Sequence, residues 1–123
     1  MVRLVVMLSL SVLAAACSPA ICTTGVCICP EGQTCGFDTC SASTSNCSYS
    51  CNKDATCTGS CGANCTISCD GKSCTHTVGA NSTVSCAAGG TCNITCEGKC
   101  TTGSSGTLNL TCKVGTKSDT GCN

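Results

Sequence analysis

Nineteen of the 123 residues are Cys, and no other feature limits the possible folds as strongly. A short chain this dense in cysteine reads as a disulfide scaffold, provided that it reaches an oxidising compartment. The apolar inventory points the same way. There is no Trp, one Tyr (Tyr49) and one Phe (Phe37), and the large side chains after residue 17 are mostly single Ile, Val and Leu residues. A core that thin needs covalent closure. Lys and Arg balance Asp and Glu, six against six. With no basic run and no aromatics to stack on bases, nucleic acid is excluded as a partner.

The N-terminus reads as an address. Met1-Val2-Arg3 is a short positive segment, and Leu4–Leu13 is apolar but too short to span a bilayer as a helix. Ala14, Ala15 and Ala16 are the small residues that a signal peptidase requires. Together they predict a helical signal peptide over 1–16. Leu13-Ala14-Ala15-Ala16-Cys17 resembles a bacterial lipobox. That resemblance implies a thioether-linked diacylglycerol on Cys17, cleavage before it, and, with Ser18 following, sorting to the outer membrane of the cell envelope. The membrane would then be a partner through the lipid on Cys17. The alternative is an ordinary signal cleaved at the same bond, a secreted product and Cys17 as a plain thiol. Parity favours lipidation, because setting Cys17 aside leaves eighteen cysteines, enough for nine bridges.

From Cys47 onward a unit recurs. Its copies are Cys47-Ser-Tyr-Ser-Cys51, Cys65-Thr-Ile-Ser-Cys69 and Cys92-Asn-Ile-Thr-Cys96, each continuing to a further cysteine at 57, 74 or 100. Matching tails are Ser82-Thr-Val-Ser-Cys86 and Leu108-Asn-Leu-Thr-Cys112. Positions 65, 69, 74 and 86 recur at 92, 96, 100 and 112, a spacing of 26 or 27. This predicts repeats at 47–64, 65–91 and 92–117 within a domain 47–123, preceded by a cysteine-rich module and linker over 17–46. Period-two alternation predicts five short strands, at 47–51, 65–69, 82–86, 92–96 and 108–112, with Cys, Tyr, Ile, Val and Leu inward and Ser, Thr and Asn outward. Asp70-Gly71-Lys72 and Glu97-Gly98-Lys99 read as turns. The expected fold is all-β, a small disulfide-rich β-solenoid-like stack with cysteines aligned in columns such as 51/69/96.

The cysteines expected in disulfides, with their pairing open, are Cys22, Cys27, Cys29, Cys35, Cys40, Cys47, Cys51, Cys57, Cys61, Cys65, Cys69, Cys74, Cys86, Cys92, Cys96, Cys100, Cys112 and Cys122. The lipobox-like segment and the Cys-x-[Ile/Val]-[Ser/Thr]-Cys units together resemble the small cysteine-rich repeat lipoproteins of myxobacterial type. The resemblance implies an envelope location and a repeat architecture.

No catalytic site emerges. His76 is the single His, flanked by Thr75 and Thr77, and is expected to face solvent. Asp70 and Glu97 occupy equivalent repeat positions and suit turns better than acid–base chemistry. Neither a metal nor a cofactor is expected, since only Cys27-Ile28-Cys29 has the tight spacing of a thiolate store; a secreted metal-binding protein is the alternative reading. Asn46, Asn64, Asn81, Asn93 and Asn109 head Asn-x-Ser/Thr triplets, which also fit turn asparagines placed before strands. Outward Thr resembles the disulfide-braced antifreeze solenoids of insects, but the Thr75-His76-Thr77 pair alone does not make their ladder. The reading is therefore a non-enzymatic envelope lipoprotein, structural or surface-binding. Its candidate binding face is Thr66, Ser68, Thr83, Ser85, Asn93, Thr95, Asn109 and Thr111, and its partner an envelope protein or a glycan.

Overall fold

Inward cysteines alternating with outward hydroxyls give coil strands four to six residues long, most of them ending where two cysteines can close a corner. The computed structural model describes residues 20–37 and 45–123, and over these the protein is an all-β solenoid. The segment predicted as a signal peptide, Cys17 and Cys40 lie outside the described residues. In chain order the strands are β1 (Ile21–Thr23), β2 (Val26–Cys29), β3 (Thr34–Phe37), β4 (Ser48–Cys51), β5 (Thr56–Cys61), β6 (Thr66–Cys69), β7 (Ser73–Val78), β8 (Ser82–Cys86), β9 (Thr91–Cys96), β10 (Cys100–Ser104), β11 (Thr107–Cys112), β12 (Lys117–Ser118) and β13 (Gly121–Cys122).

Successive strands go alternately to two sheets. The first runs β1-β2-β4-β6-β8-β10-β13-β12 and the second β11-β9-β7-β5-β3. Pairing along the stack is parallel, as a coil that advances by one strand spacing per turn requires. At both ends the first sheet switches to antiparallel pairing, β1 on β2 and β13 on β10. These short strands cover edges that would otherwise offer unpaired backbone.

Paired positions 48, 66, 83 and 101 set the coil at 17 or 18 residues. The 26–27-residue spacing in the sequence is thus one and a half coils. It relates β6 in the first sheet to β9 in the second, because both halves of a coil are built from the same strand-and-corner unit. The column 51/69/96 is accordingly replaced. Cys51 and Cys69 align with Cys86 in the first sheet, whereas Cys96 aligns with Val78 and Cys112 in the second. In the described part of segment 17–46, β2 and β3 pair with β4 and β5 as the first coil.

Sulfur occupies both edges of the interior and hydrocarbon the middle. At one edge the bridges Cys29–Cys35, Cys51–Cys57 and Cys86–Cys92 each join a strand of the first sheet to the next strand of the second. At the other edge lie Cys61–Cys65 and Cys96–Cys100. Cys22–Cys27 and Cys112–Cys122 fasten the ends, and Cys47 is also disulfide-bonded. Between the edges, Tyr49, Ile67 and Val84 of the first sheet face Phe37, His76, Ile94 and Leu110 of the second, all buried. Gly59 stands between Phe37 and His76 in that column. A Cβ there would lie 2.9 Å from the Phe37 Cβ, so the missing side chain is what lets the two rings share one column.

The corners explain three of the sequon asparagines. Asn46, Asn64 and Asn81 have φ of 63°, 58° and 59°, the left-handed region that Asn tolerates better than most residues. Their N–H groups donate to the carbonyls of Ala63, Ala80 and Lys99 on the next coil. At the edge of Cys61–Cys65 and Cys96–Cys100, the corner between these two bridges lacks sulfur: Val78 and Ser82 stand where the neighbouring coils have cysteines. There the Cys65 N–H donates to Ser82 Oγ at 3.1 Å, and the Ser82 hydroxyl donates to the Gly62 carbonyl at 3.4 Å.

Ser82→Ala leaves the buried Cys65 N–H without an acceptor and is expected to cost about 1–3 kcal/mol. Chemical denaturation with all disulfides intact measures this, and an unchanged midpoint would refute the role given to the hydroxyl.

Candidate functional site

Five residues connect Cys51 to Cys57 and Cys86 to Cys92, but only Asp70-Gly71-Lys72-Ser73 connects Cys69 to Cys74. The shorter turn presses on the coil before it. A Cβ at Gly71 would meet the Ala55 carbonyl at 2.5 Å and Cys51 Sγ at 2.7 Å. A cavity of about 170 Å³ opens over the turns of three successive coils at this point, with Lys53, Asp54, Asp70 and Lys72 on its walls. Asp70 is not opposite Glu97, which lies at the other edge of the solenoid and pairs with Lys113 at 2.9 Å.

Cys69 and Cys74 are in register with the bridged pairs on either side, yet they are the free cysteines among the described residues, and both are buried. This departs from the expectation that every cysteine after Cys17 is bridged. Their sulfurs and that of Cys92 all lie within 4.8 Å of one another. Two more sulfur triplets, Cys47/Cys61/Cys65 and Cys96/Cys100/Cys122, are equally close, but their members are bridged. A bridged sulfur is no thiolate ligand, so these triplets are stacked disulfides and not metal cages.

The two thiols are chemically unequal. Cys74 is lowered to about 6, chiefly because the Cys69 S–H donates to it; burial opposes this, the His76 imidazole assists, and the Asp70 carboxylate opposes. Cys69 is pushed well above the ordinary thiol range, first by holding the proton it donates to Cys74, then by burial and by the negative charge of Cys74 and Asp70. One sulfur is thus a nucleophile and its neighbour a proton-bearing partner.

His76 is 2% exposed, which overturns the expectation that it faces solvent. The parity of β7 contains the missed signal: with Cys74 inward, His76 is inward as well, and Thr75 and Thr77 are outward. Its ring lies 5.5 Å from Phe37 and 5.6 Å from Tyr49, which stack on each other at 4.4 Å. The Tyr49 hydroxyl donates to the Ser60 carbonyl at 2.9 Å. Neither imidazole nitrogen has a hydrogen-bond partner. A buried polar group left so is costly, and here it sits two residues from an acidified thiol.

The expected binding face is divided between the sheets. Thr66, Ser68, Thr83 and Ser85 line the outside of the first sheet, and Asn93, Thr95, Asn109 and Thr111 the outside of the second. The second face is the more regular. Its columns are Thr34/Thr56/Ser73/Thr91/Thr107, Thr58/Thr75/Asn93/Asn109 and Ser60/Thr77/Thr95/Thr111, none of them charged. Asn109 Nδ2 donates to Asn93 Oδ1 at 2.9 Å along its column. Comparison with family models, curated proteins and solved structures finds no match to this chain.

In the dithiol form, one thiolate is expected to appear around pH 6 as pH rises, since deprotonation of Cys74 is the favoured step. Thiolate ultraviolet absorbance of folded protein follows it. The transition disappears in Cys74→Ser; its persistence there would assign it to another group.

Proposed function

We propose that the protein is a non-enzymatic, lipid-anchored module of the cell envelope, a disulfide-closed solenoid that holds polar faces rigidly toward an envelope protein or glycan. The observation that carries this reading is the register. Outward Ser, Thr and Asn form unbroken columns over four or five coils, while every described coil has at least one covalently closed or hydrogen-bonded corner. Columns spaced about 4.8 Å between strands and about 6.7 Å along them suit a partner that itself repeats.

The anchor rests on the lipobox-like Leu13–Cys17 segment and on cysteine parity, and the exposed apolar residues support it. Ile21, Val26 and Ile28 are 63%, 46% and 40% exposed, and all lie on β1 and β2, the strands nearest Cys17 in the chain. Ile21 and Ile28 are direct cross-strand partners. A solenoid tethered at Cys17 would rest this apolar end on the membrane and direct its polar coils away from it. Among the described residues, no helix is long and apolar enough to cross a membrane.

A second reading rests on the second sheet alone. Thr58 and Ser60 pair with Thr75 and Thr77, and Asn93/Thr95 and Asn109/Thr111 continue the two columns in register, which gives a ladder of hydroxyls and amides that the linear sequence does not display. An uncharged lattice of hydroxyls and amides without exposed aromatic rings suits ordered water better than stacked sugar rings.

Intact-mass measurement of protein recovered from its native envelope is expected to show a chain beginning at acylated Cys17, and Cys17→Ala should release the protein from the membrane fraction. An unmodified Cys17 would refute the anchor and leave the solenoid reading in place. For the second reading, the purified protein should shape ice or separate its melting and freezing points, and Thr75→Lys should abolish the effect whereas Thr83→Lys on the opposite sheet does not. Absence of any such effect in the unsubstituted protein removes this reading.

A further inference from the structure

The edge column of the solenoid runs from Cys29–Cys35 through Cys51–Cys57 and Cys69/Cys74 to Cys86–Cys92. Three of its four rungs are disulfides and one is a dithiol. Cys69, Cys74, Cys86 and Cys92 are each 0–1% exposed, so solvent thiols and disulfides reach them poorly. The nearest disulfide to the reduced rung is internal. Cys92 Sγ lies within 4.8 Å of both free sulfurs, and neighbouring rungs are kept adjacent by backbone pairing of β6 with β8 and of β7 with β9.

We propose that Cys69 and Cys74 form a mobile dithiol, which passes its reduced state to the adjoining Cys86–Cys92 rung by thiol–disulfide exchange and takes it back. The Cys74 thiolate attacks Cys92 Sγ. A Cys74–Cys92 bond forms, the Cys86–Cys92 bond breaks, and Cys86 departs as a thiolate with the electron pair. The Cys69 sulfur then attacks Cys74 Sγ, forming Cys69–Cys74 and releasing Cys92 as a thiolate. One disulfide exists before and after, so no outside oxidant or reductant takes part. Cys74 attacks as the thiolate, so a single proton moves in the exchange, from Cys69 to the departing sulfur.

This goes beyond a passive scaffold, because two electrons are then shared across two coils. The folded, full-length protein is held at mildly alkaline pH, acid-quenched, denatured, labelled with N-ethylmaleimide and mapped by peptide mass spectrometry; absence of label from all four cysteines would remove the dithiol and overturn the proposal. The expected result is label shared between the Cys69/Cys74 and Cys86/Cys92 pairs. Label confined to Cys69 and Cys74 however long the incubation would overturn the proposal. So would label reaching Cys86 and Cys92 undiminished in the Cys69→Ser/Cys74→Ser variant, since that would trace it to direct reduction. Cys69→Ser alone cannot complete the second step, and is expected to accumulate a Cys74–Cys92 cross-link with the label on Cys86. If the variants fail to fold, the distribution in the unsubstituted protein still decides.

Discussion

Covalent closure of the corners is the constraint from which the rest of this structure follows. A coil of 17 or 18 residues has room for two strands and two reversals, and each inner face offers about three positions per strand. Cysteines take the outer two and bridge around the corners, with separations of four or six residues. Such short loops remove less unfolded-state entropy each than long ones, about 2 kcal/mol on the loop-closure model, but they act on nearly every coil. Only the central position remains for hydrocarbon, which is why a chain with one Phe and one Tyr can have a continuous interior. The aromatic rings gather in the coils nearest the N-terminus, and Ile, Val and Leu fill those that follow.

Departures from the bridge pattern show how each corner is otherwise satisfied. Val78 and Ser82 replace a covalent link with the hydrogen bonds of a buried hydroxyl, which accepts from the Cys65 N–H and donates to the Gly62 carbonyl. At the far end of the other column, Ser104 and Leu108 succeed Cys86 and Cys92 in register, and there the interior opens toward solvent. The Cys69/Cys74 rung differs from both. It retains sulfur at both positions, sits beside an unpartnered imidazole, and spans a turn one residue shorter than its neighbours. Its chemistry arises from ordinary ladder geometry with one bond absent, without any departure from the fold.

Much of the architecture is legible in the sequence, because period-two alternation is a local property. Cys65, Ile67 and Cys69 could be assigned to one face, and Thr66 and Ser68 to the other, from five residues. What misled was the repeat length. Half-coils resemble one another, so the strongest self-similarity links β6 to β9 across the two sheets and not β6 to β8 within one. Strands β5, β7 and β10 fall outside the five predicted because their inward residues, Cys57/Gly59/Cys61, Cys74/His76/Val78 and Cys100/Thr102/Ser104, do not repeat the Cys-x-Ile-x-Cys pattern. His76 was misplaced for the same reason: once β7 is missed, the parity that turns His76 inward is missed with it. The long hydroxyl columns of the second sheet are also invisible in the linear chain, since their members lie 16 to 22 residues apart.

Composition and alternation by themselves determined that this is a disulfide-braced, all-β protein with sulfur and a little hydrocarbon inside and hydroxyls outside. Those properties depend on which residues are present and on whether neighbours are odd or even. Tertiary structure alone decided which cysteines meet, which corners do without sulfur, that two thiols remain beside a third sulfur, and that a histidine is buried among aromatic rings. Each of these depends on the register of strands from different coils, a distance set by backbone pairing that no local pattern encodes.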